Sequence, residues 1–133
     1  MNKEEFIEYV IDNNNVIELT DDVYYGKKRI YGHLYLEDIT EIPEGFNPWV
    51  GGSLDLSSLT SIPKGFNPKV GSCLTLGSLT SIPVWFNPVV GDTLYLDSLK
   101  KIPENWNPTN IEGKIVKRET NIKPIINFIN FHI

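Results

Sequence analysis

The residue types that most often carry chemistry are sparse in this sequence. It contains two histidines, His33 and His132, which lie almost the whole chain apart, and one cysteine, Cys73. Catalysis needs unlike polar groups that converge within hydrogen-bond reach, and a zinc site needs several Cys or His ligands. The spacing therefore predicts neither a histidine-based triad nor a metal site, and the single thiol cannot form a disulfide within the chain.

One acidic pair and several glycine turns could also take part in chemistry. Glu37 and Asp38 offer carboxylate oxygens of the kind that Ca²⁺ prefers, but the positions twenty residues later hold Ser57 and Ser58. The sequence contains no Gly-x-x-x-x-Gly-Lys-Ser/Thr and no Gly-x-Gly-x-x-Gly motif for cradling phosphate. We therefore expect no enzymatic activity and no cofactor.

Composition sets the class of protein that holds these residues. The chain has 133 residues, of which 41% are hydrophobic and 22% charged, so residues 1–133 are expected to form a single globular domain. It has no apolar run of the roughly 18 residues that span a membrane, and its acidic start does not resemble a secretion signal. We expect a cytoplasmic protein. The net charge of −5 makes nucleic acid an improbable direct ligand.

A repeat of 20 residues dominates the sequence. It occurs four times, over 34–53, 54–73, 74–93 and 94–113, and the second and third copies are identical at 13 of 20 positions. The shared pattern is L-x-L-x-x-[LI]-x-x-I-P-x-x-[FW]-N-P, usually followed by x-V-G. Fixed periodicity of this length is typical of a solenoid, in which each repeat forms one coil and stacks on its neighbours.

Each repeated position has a structural role. The Leu-x-Leu spacing predicts a short strand with one buried face, and the Ile-Pro step predicts that the strand does not continue. The aromatic residue is expected to fill the core from the far side of each coil, and Asn-Pro is a turn signal whose asparagine side chains could stack as a ladder. These positions are Phe46, Phe66, Phe86 and Trp106 for the aromatic residue, and Asn47, Asn67, Asn87 and Asn107 for the asparagine.

The pattern resembles the short, 20-residue leucine-rich repeats of bacterial and prophage proteins. The resemblance covers residues 34–113, and the motif is specific because it recurs four times in register. It implies a mainly β repeat solenoid, in which parallel strands build one face and the Ile-Pro step opens the other. The sixth position holds Ile or Leu where many family members have Asn, which leaves the curvature of the coil open.

The flanking segments are expected to close the two ends of the solenoid. Residues 1–13 suit a capping helix, with Asn2 as N-cap and Glu5 as its capping-box partner. Residues 14–33 fit a degenerate opening coil, and a one-residue slip after Trp106 predicts a last strand over 115–118. Residues 114–133 are rich in apolar side chains and predict a C-terminal cap, with recruitment of a partner as the alternative. The fold prediction is thus a capped, leucine-rich-repeat-like parallel β-solenoid.

Candidate binding residues lie where the repeat varies, because variable positions of a solenoid face solvent. On the strand face we select four: Tyr35, Asp55, Tyr95 and Asp97. A second set is apolar where other repeats are mostly polar: Trp49, Val84, Trp85 and Val89. Such residues mark an interface, although Trp85 could instead fold back as additional core.

Three functional hypotheses follow. The first is a non-catalytic module, monomeric or else a homodimer, that binds another protein through these variable positions. The second is a phage-encoded inhibitor of a host defence or nucleic-acid enzyme, because residues 1–50 carry 11 acidic and 4 basic side chains that could occupy a basic groove. The third is nucleic-acid binding through a basic C-terminal end, formed by Lys100, Lys101, Lys114, Lys117 and Arg118.

A further basic run, Lys27, Lys28 and Arg29, could also contact phosphates. The sequence shows no repeated stripe in which aromatic and basic residues accompany each other. We therefore expect this run to be ordinary solvated surface charge.

Overall fold

The chain folds as a parallel β-solenoid with about four coils of 20 residues. In the computed structural model the described residues are 1–14, 16 and 18–117. The helices are α1 (Lys3–Asn13) and α2 (Asp21–Tyr24). The strands are β1 (Arg29–Ile30), β2 (Leu34–Tyr35), β3 (Trp49–Val50), β4 (Leu54–Asp55), β5 (Lys69–Val70), β6 (Leu74–Thr75), β7 (Val89–Val90), β8 (Leu94–Leu96) and β9 (Ile115–Lys117).

Each of the three coils over residues 34–93 contributes one strand to each of two parallel sheets. The first sheet has the order β1-β3-β5-β7 and the second the order β2-β4-β6-β8-β9. Neighbouring strands are in register at a spacing of 20 residues, as in Leu54 opposite Leu74. The last pair deviates, because Leu94 lies opposite Ile115, 21 residues later. This confirms the predicted slip, and the predicted last strand is β9.

The core consists of columns of identical side chains that stack from coil to coil. The leucines of the Leu-x-Leu motif and the aromatic residue are buried in all four repeats. The valine position of the first sheet is also buried, as valine or isoleucine. Trp106 keeps its indole nitrogen satisfied by donating to the carbonyl oxygen of Phe86 at 2.6 Å. A buried tryptophan can therefore replace phenylalanine in the column without an unpaired polar group.

The Asn-Pro turns form the predicted side-chain ladder in three coils. The Oδ1 of Asn47 accepts from the amide of Asn67 at 2.7 Å, and that of Asn67 accepts from the amide of Asn87 at 2.6 Å. At the fourth coil the slip changes the donor, so Asn87 accepts from Thr109 instead of Asn107. Amides that turn out of the sheet are thus paired without a continuous strand.

The N-terminal helix closes its end of the solenoid as predicted. Asn2 and Glu5 form the capping box, in which Asn2 Oδ1 accepts from the Glu5 amide at 2.8 Å and Glu5 Oε1 accepts from the Asn2 amide at 2.9 Å. Phe6 is fully buried, and its ring lies edge-on to that of Phe46 with 4.7 Å between centroids. The helix therefore covers the aromatic column at the point where stacking begins.

The opening coil contains a helical turn that the repeat pattern did not indicate. Thr20 caps α2 by accepting from the Val23 amide, and the helix carries Tyr24 into the core. Tyr24 is fully buried, 5.3 Å from the ring of Phe46, and its hydroxyl donates to the carbonyl oxygen of Glu44 at 3.3 Å. Tyr24 thus supplies the aromatic plug that Gly26, twenty residues before Phe46, does not provide.

The predicted C-terminal apolar cap lies mostly outside the described residues, which end at Lys117 in β9.

Candidate functional surfaces

Two of the residues that first raised the question of chemistry, His33 and Cys73, take part in a hydrogen-bond ladder, whereas His132 lies outside the described residues. His33 Nδ1 accepts from the amide of Ser53 at 2.9 Å, and Ser53 Oγ accepts from the amide of Cys73 at 3.1 Å. These side chains form a second ladder, at the bend between the two sheets. Within residues 1–14, 16 and 18–117 the structure brings no three Cys, His, Asp or Glu side chains together in a group that could hold a metal ion.

The outer face of the second sheet carries the first predicted set. Strand register aligns Tyr35, Asp55 and Tyr95 in one row with Thr75, while Asp97 is exposed just after β8. The Asp55 carboxylate accepts from both the amide and the hydroxyl of Ser57, so part of its hydrogen-bonding capacity is already used within the coil. The row is therefore a shallow polar face with a tyrosine near each end.

The outer face of the first sheet places Trp49 in a different environment from the one expected. Register aligns Arg29, Trp49, Lys69 and Val89 in that order. The indole of Trp49 has Lys69 Nζ 4.6 Å and Arg29 Cζ 5.6 Å from its ring centroid. Strands of a sheet lie about 4.8 Å apart, so Lys69 separates Trp49 from Val89 by about 10 Å of backbone. Trp49 thus belongs to a row of alternating cation and aromatic residues.

The turn between the Ile-Pro step and the aromatic residue differs in the third coil. In all four coils the aromatic amide donates to the proline carbonyl, at 3.1 Å for Phe86 and Pro83. The residue before the aromatic side chain has positive φ in three coils, at Gly45, Gly65 and Asn105, but not at Trp85. A bulky side chain is costly in this left-handed region, so the third coil adopts another backbone conformation in the turn.

This altered turn holds two of the predicted apolar residues in solvent. Val84 is 52% exposed and Trp85 is 41% exposed, and Val89, five and four residues later, is 38% exposed. In the same positions of the neighbouring coils stand Glu44-Gly45, Lys64-Gly65 and Glu104-Asn105. We call Val84, Trp85 and Val89 the apolar turn of the third coil. Trp85 does not fold back into the core, because the aromatic column is filled by Phe86.

The basic run near the N-terminus is exposed to solvent, as expected from the sequence, but aromatic side chains lie beside it. Lys27, Lys28, Arg29, Tyr31 and Trp49 line a shallow cavity of about 390 Å³. Arg29 Cζ lies 4.6 Å from the Tyr31 ring centroid, and a hydrogen bond from Arg29 lowers the pKa of the Tyr31 phenol. The missing signal was the 20-residue register itself, which places residues 29, 49 and 69 side by side although they are distant in sequence. With Lys69, we call these residues the basic-aromatic rim.

A second cavity, of about 520 Å³, adjoins the rim at Tyr31. Its lining also includes Asp12 and Asn14 of the N-terminal cap, and His33 and Tyr35 of the first turn. Tyr31 is 78% exposed and lies between the two cavities. The N-terminal end of the solenoid therefore presents exposed aromatic rings between a basic and a polar depression.

The basic C-terminal residues lie on two parts of the last coil. Lys100 and Lys101 are exposed just after the buried Leu99. Lys114 precedes β9 and Lys117 ends it, whereas Arg118 lies outside the described residues.

None of the described helices is long and apolar enough to span a membrane. The chain matches no protein-family model, no curated protein and no solved structure.

Proposed function

We propose that the protein is a non-catalytic binding module that recognises another protein through variable positions of its solenoid. The observation that carries the proposal is the exposure of Val84, Trp85 and Val89 at positions that are mostly polar in the other coils. Exposed apolar side chains in a cluster are stabilised when a partner removes them from water. Tryptophan contributes more than most residues to such contacts.

The backbone of the third coil adds a second argument. The other three coils place Gly or Asn before the aromatic residue, and these residues tolerate the left-handed conformation found there. Trp85 does not adopt this left-handed conformation and lies on the surface, while Phe86 fills the core position. A large side chain that alters its own turn and fills no cavity is explained by a contact outside the chain.

The proposal also includes the family to which the protein belongs. The Leu-x-Leu strands and Ile-Pro steps support a leucine-rich-repeat-like protein of bacterial or phage origin, since repeats of this kind carry recognition surfaces on an inert scaffold. The repeated hydrogen-bond ladders use the polar side chains at the bends for structure. Because these side chains serve the fold, we propose that the protein binds another protein in the cytoplasm and uses no cofactor.

The test replaces the turn residues of the third coil with those of the second coil. The double variant V84K/W85G gives the turn Pro-Lys-Gly-Phe, which the chain already accommodates at Pro63–Phe66. Immobilised wild-type and variant proteins are incubated with lysate of the cells that produce the protein, and retained proteins are quantified by mass spectrometry. We expect one partner to be lost from the variant and, with the purified partner, its affinity to fall about 30-fold or more.

The matched control changes a turn that is already polar. In E104K/N105G the fourth coil receives the same two residues, and this variant should retain the partner at wild-type affinity. Circular dichroism confirms that both variants are folded. Equal retention of every captured protein by V84K/W85G and E104K/N105G would contradict the proposal, and so would a wild-type protein that retains nothing.

A further inference from the structure

We propose that the basic-aromatic rim binds an extended, acidic segment of a partner polypeptide, which adds a strand to the first sheet beside β1. This surface lies at the N-terminal end of the solenoid and does not include the apolar turn of the third coil. The inference concerns a second binding site and does not depend on the first. It is carried by the open edge of β1, the cations around it and the shape of the adjacent cavities.

The backbone of β1 has one side without a partner. The Ile30 carbonyl accepts from the Gly51 amide at 2.8 Å, so Ile30 directs its backbone groups toward β3. Successive residues of a strand alternate, and Arg29 and Tyr31 therefore direct theirs away from β3. Within the part of the chain that the structure describes, no hydrogen bond joins these outward amides and carbonyls to another group.

The corresponding edge of the second sheet is closed. Asn14 Oδ1 accepts from the Tyr35 amide at 2.7 Å, and Asn14 Nδ2 donates to the Tyr35 carbonyl at 3.1 Å. One asparagine side chain thus imitates the pairing of a neighbouring strand at Tyr35 of β2. An unprotected edge is a pairing site for another chain, so the contrast between the two sheets points to β1 as the edge that receives one.

Charge indicates what kind of segment fits. The rim exposes four cationic side chains, those of Lys27, Lys28, Arg29 and Lys69. Lys28 Nζ lies 4.0 Å from Asp22 Oδ2, which is a long distance for an ion pair. The chain as a whole carries a net charge of −5, so this group of cations contrasts with the overall charge of the protein. In an added strand, side chains on one face recur about every 6.6 Å, so acidic residues at alternate positions would pass along the cations.

The same features favour a peptide over a nucleic acid. Cations from Arg29 and Lys69 lie over the Trp49 ring, 5.6 and 4.6 Å from its centroid, and compete with bases that would stack on it. The outward amides and carbonyls complement the alternating donors and acceptors of a peptide backbone, which a nucleic acid lacks.

The test uses a short, fluorescently labelled peptide in which threonine and glutamate alternate. Fluorescence anisotropy at low salt measures its binding to the wild-type protein and to K27Q/K28Q, with K100Q/K101Q as a control that removes two adjacent exposed lysines elsewhere. We expect saturable binding that weakens about tenfold in K27Q/K28Q and is unchanged in K100Q/K101Q. V84K/W85G should bind the peptide like the wild type, so failure at one surface is distinguishable from failure at the other.

Strand addition is tested with two N-methylated peptides. In one peptide the methyl groups are on the alternate amides that would pair with β1, so they block pairing. In the other peptide they are on the remaining amides, which would face solvent. We expect one of the two to lose binding and the other to retain it. The proposal is overturned if neither or both lose binding, if K27Q/K28Q and K100Q/K101Q bind the peptide equally, or if oligothymidylate binds more tightly than the peptide and displaces it.

Discussion

The inward and outward positions of the same short strands follow opposite rules. In the first sheet Ile30, Val50, Val70 and Val90 are all buried, while their immediate neighbours are Arg29, Trp49, Lys69 and Val89. Adjacent residues in a strand point to opposite faces, so one backbone position repeats and the next one varies without disturbing it. The solenoid thus confines its constraints to the interior columns and the bends, and leaves the outer rows for recognition.

The strongest test of this contrast is at a bend, where the backbones of Gly51, Gly71 and Gly91 approach one another closely from coil to coil. A Cβ at Gly91 would lie 2.1 Å from the carbonyl oxygen of Gly71, a backbone atom that cannot move aside. Gly91→Ala should therefore lower the free energy of unfolding by about 3 kcal/mol, because neighbouring coils must separate locally. Urea denaturation measures the change.

A glycine of the same coil that has no neighbouring backbone atom in close contact provides the control. A Cβ at Gly77 would meet only the Asp97 carboxylate, at 4.0 Å, and the backbone does not have positive φ. Gly77→Ala should leave stability unchanged or raise it by about 0.5 kcal/mol, since alanine restricts the unfolded chain. Equal losses in the two variants would show that close backbone contact between coils is not what limits substitution.

The asparagine ladder gives an effect of intermediate size. Asn67→Ala removes the acceptor of the Asn87 amide, and we expect a loss of about 1 kcal/mol. Asn107 occupies the same repeat position, but the slip leaves Thr109 as the donor to Asn87. Asn107→Ala should consequently change the free energy of unfolding by no more than a few tenths of a kcal/mol. A loss at Asn107 as large as at Asn67 would contradict the ladder.

Periodicity predicted the interior because a column repeats the same contacts in each coil. The spacing of the residues predicts the strand positions, the aromatic column, the asparagine ladder, the capping box and the one-residue slip before Ile115. The degenerate opening coil was predicted less completely. Without a repeated aromatic residue at Gly26, nothing in the pattern indicated that α2 would deliver Tyr24 to the same place.

The outer surfaces could be predicted only in part. Exposure of Val84 and Trp85 follows from their position in the repeat. The environment of Trp49 does not, because its cationic neighbours lie one coil before and one coil after it and had been considered as separate charges. Applying the 20-residue register to variable positions as well as repeated ones would have aligned Arg29, Trp49 and Lys69. Hydrogen bonds such as that of Asn14 to Tyr35 depend on how a non-repeated segment packs, which periodicity does not address.

The smallest effect concerns Tyr24, a buried aromatic residue that carries a hydroxyl group. Burial raises the pKa of the Tyr24 phenol, whereas hydrogen bonding to Arg29 lowers that of the exposed Tyr31. Above pH 10 the unfolded chain releases the Tyr24 proton and the folded chain retains it. The unfolded state then binds fewer protons, so the free energy of unfolding falls as the pH rises.

Tyr24→Phe removes this titration and should make the alkaline decline in stability shallower, as measured by urea denaturation at a series of pH values above 10. The decline should not vanish, because the pKa of Lys3, hydrogen-bonded to Tyr25, and that of Tyr9, partly buried, are also raised. Tyr31→Phe is the matched control, since its lowered pKa has the opposite sign and the ring is exposed to solvent. If Tyr24→Phe and Tyr31→Phe changed the slope alike, inward and outward tyrosines would be equivalent, and the division between core and surface would fail at this end of the solenoid.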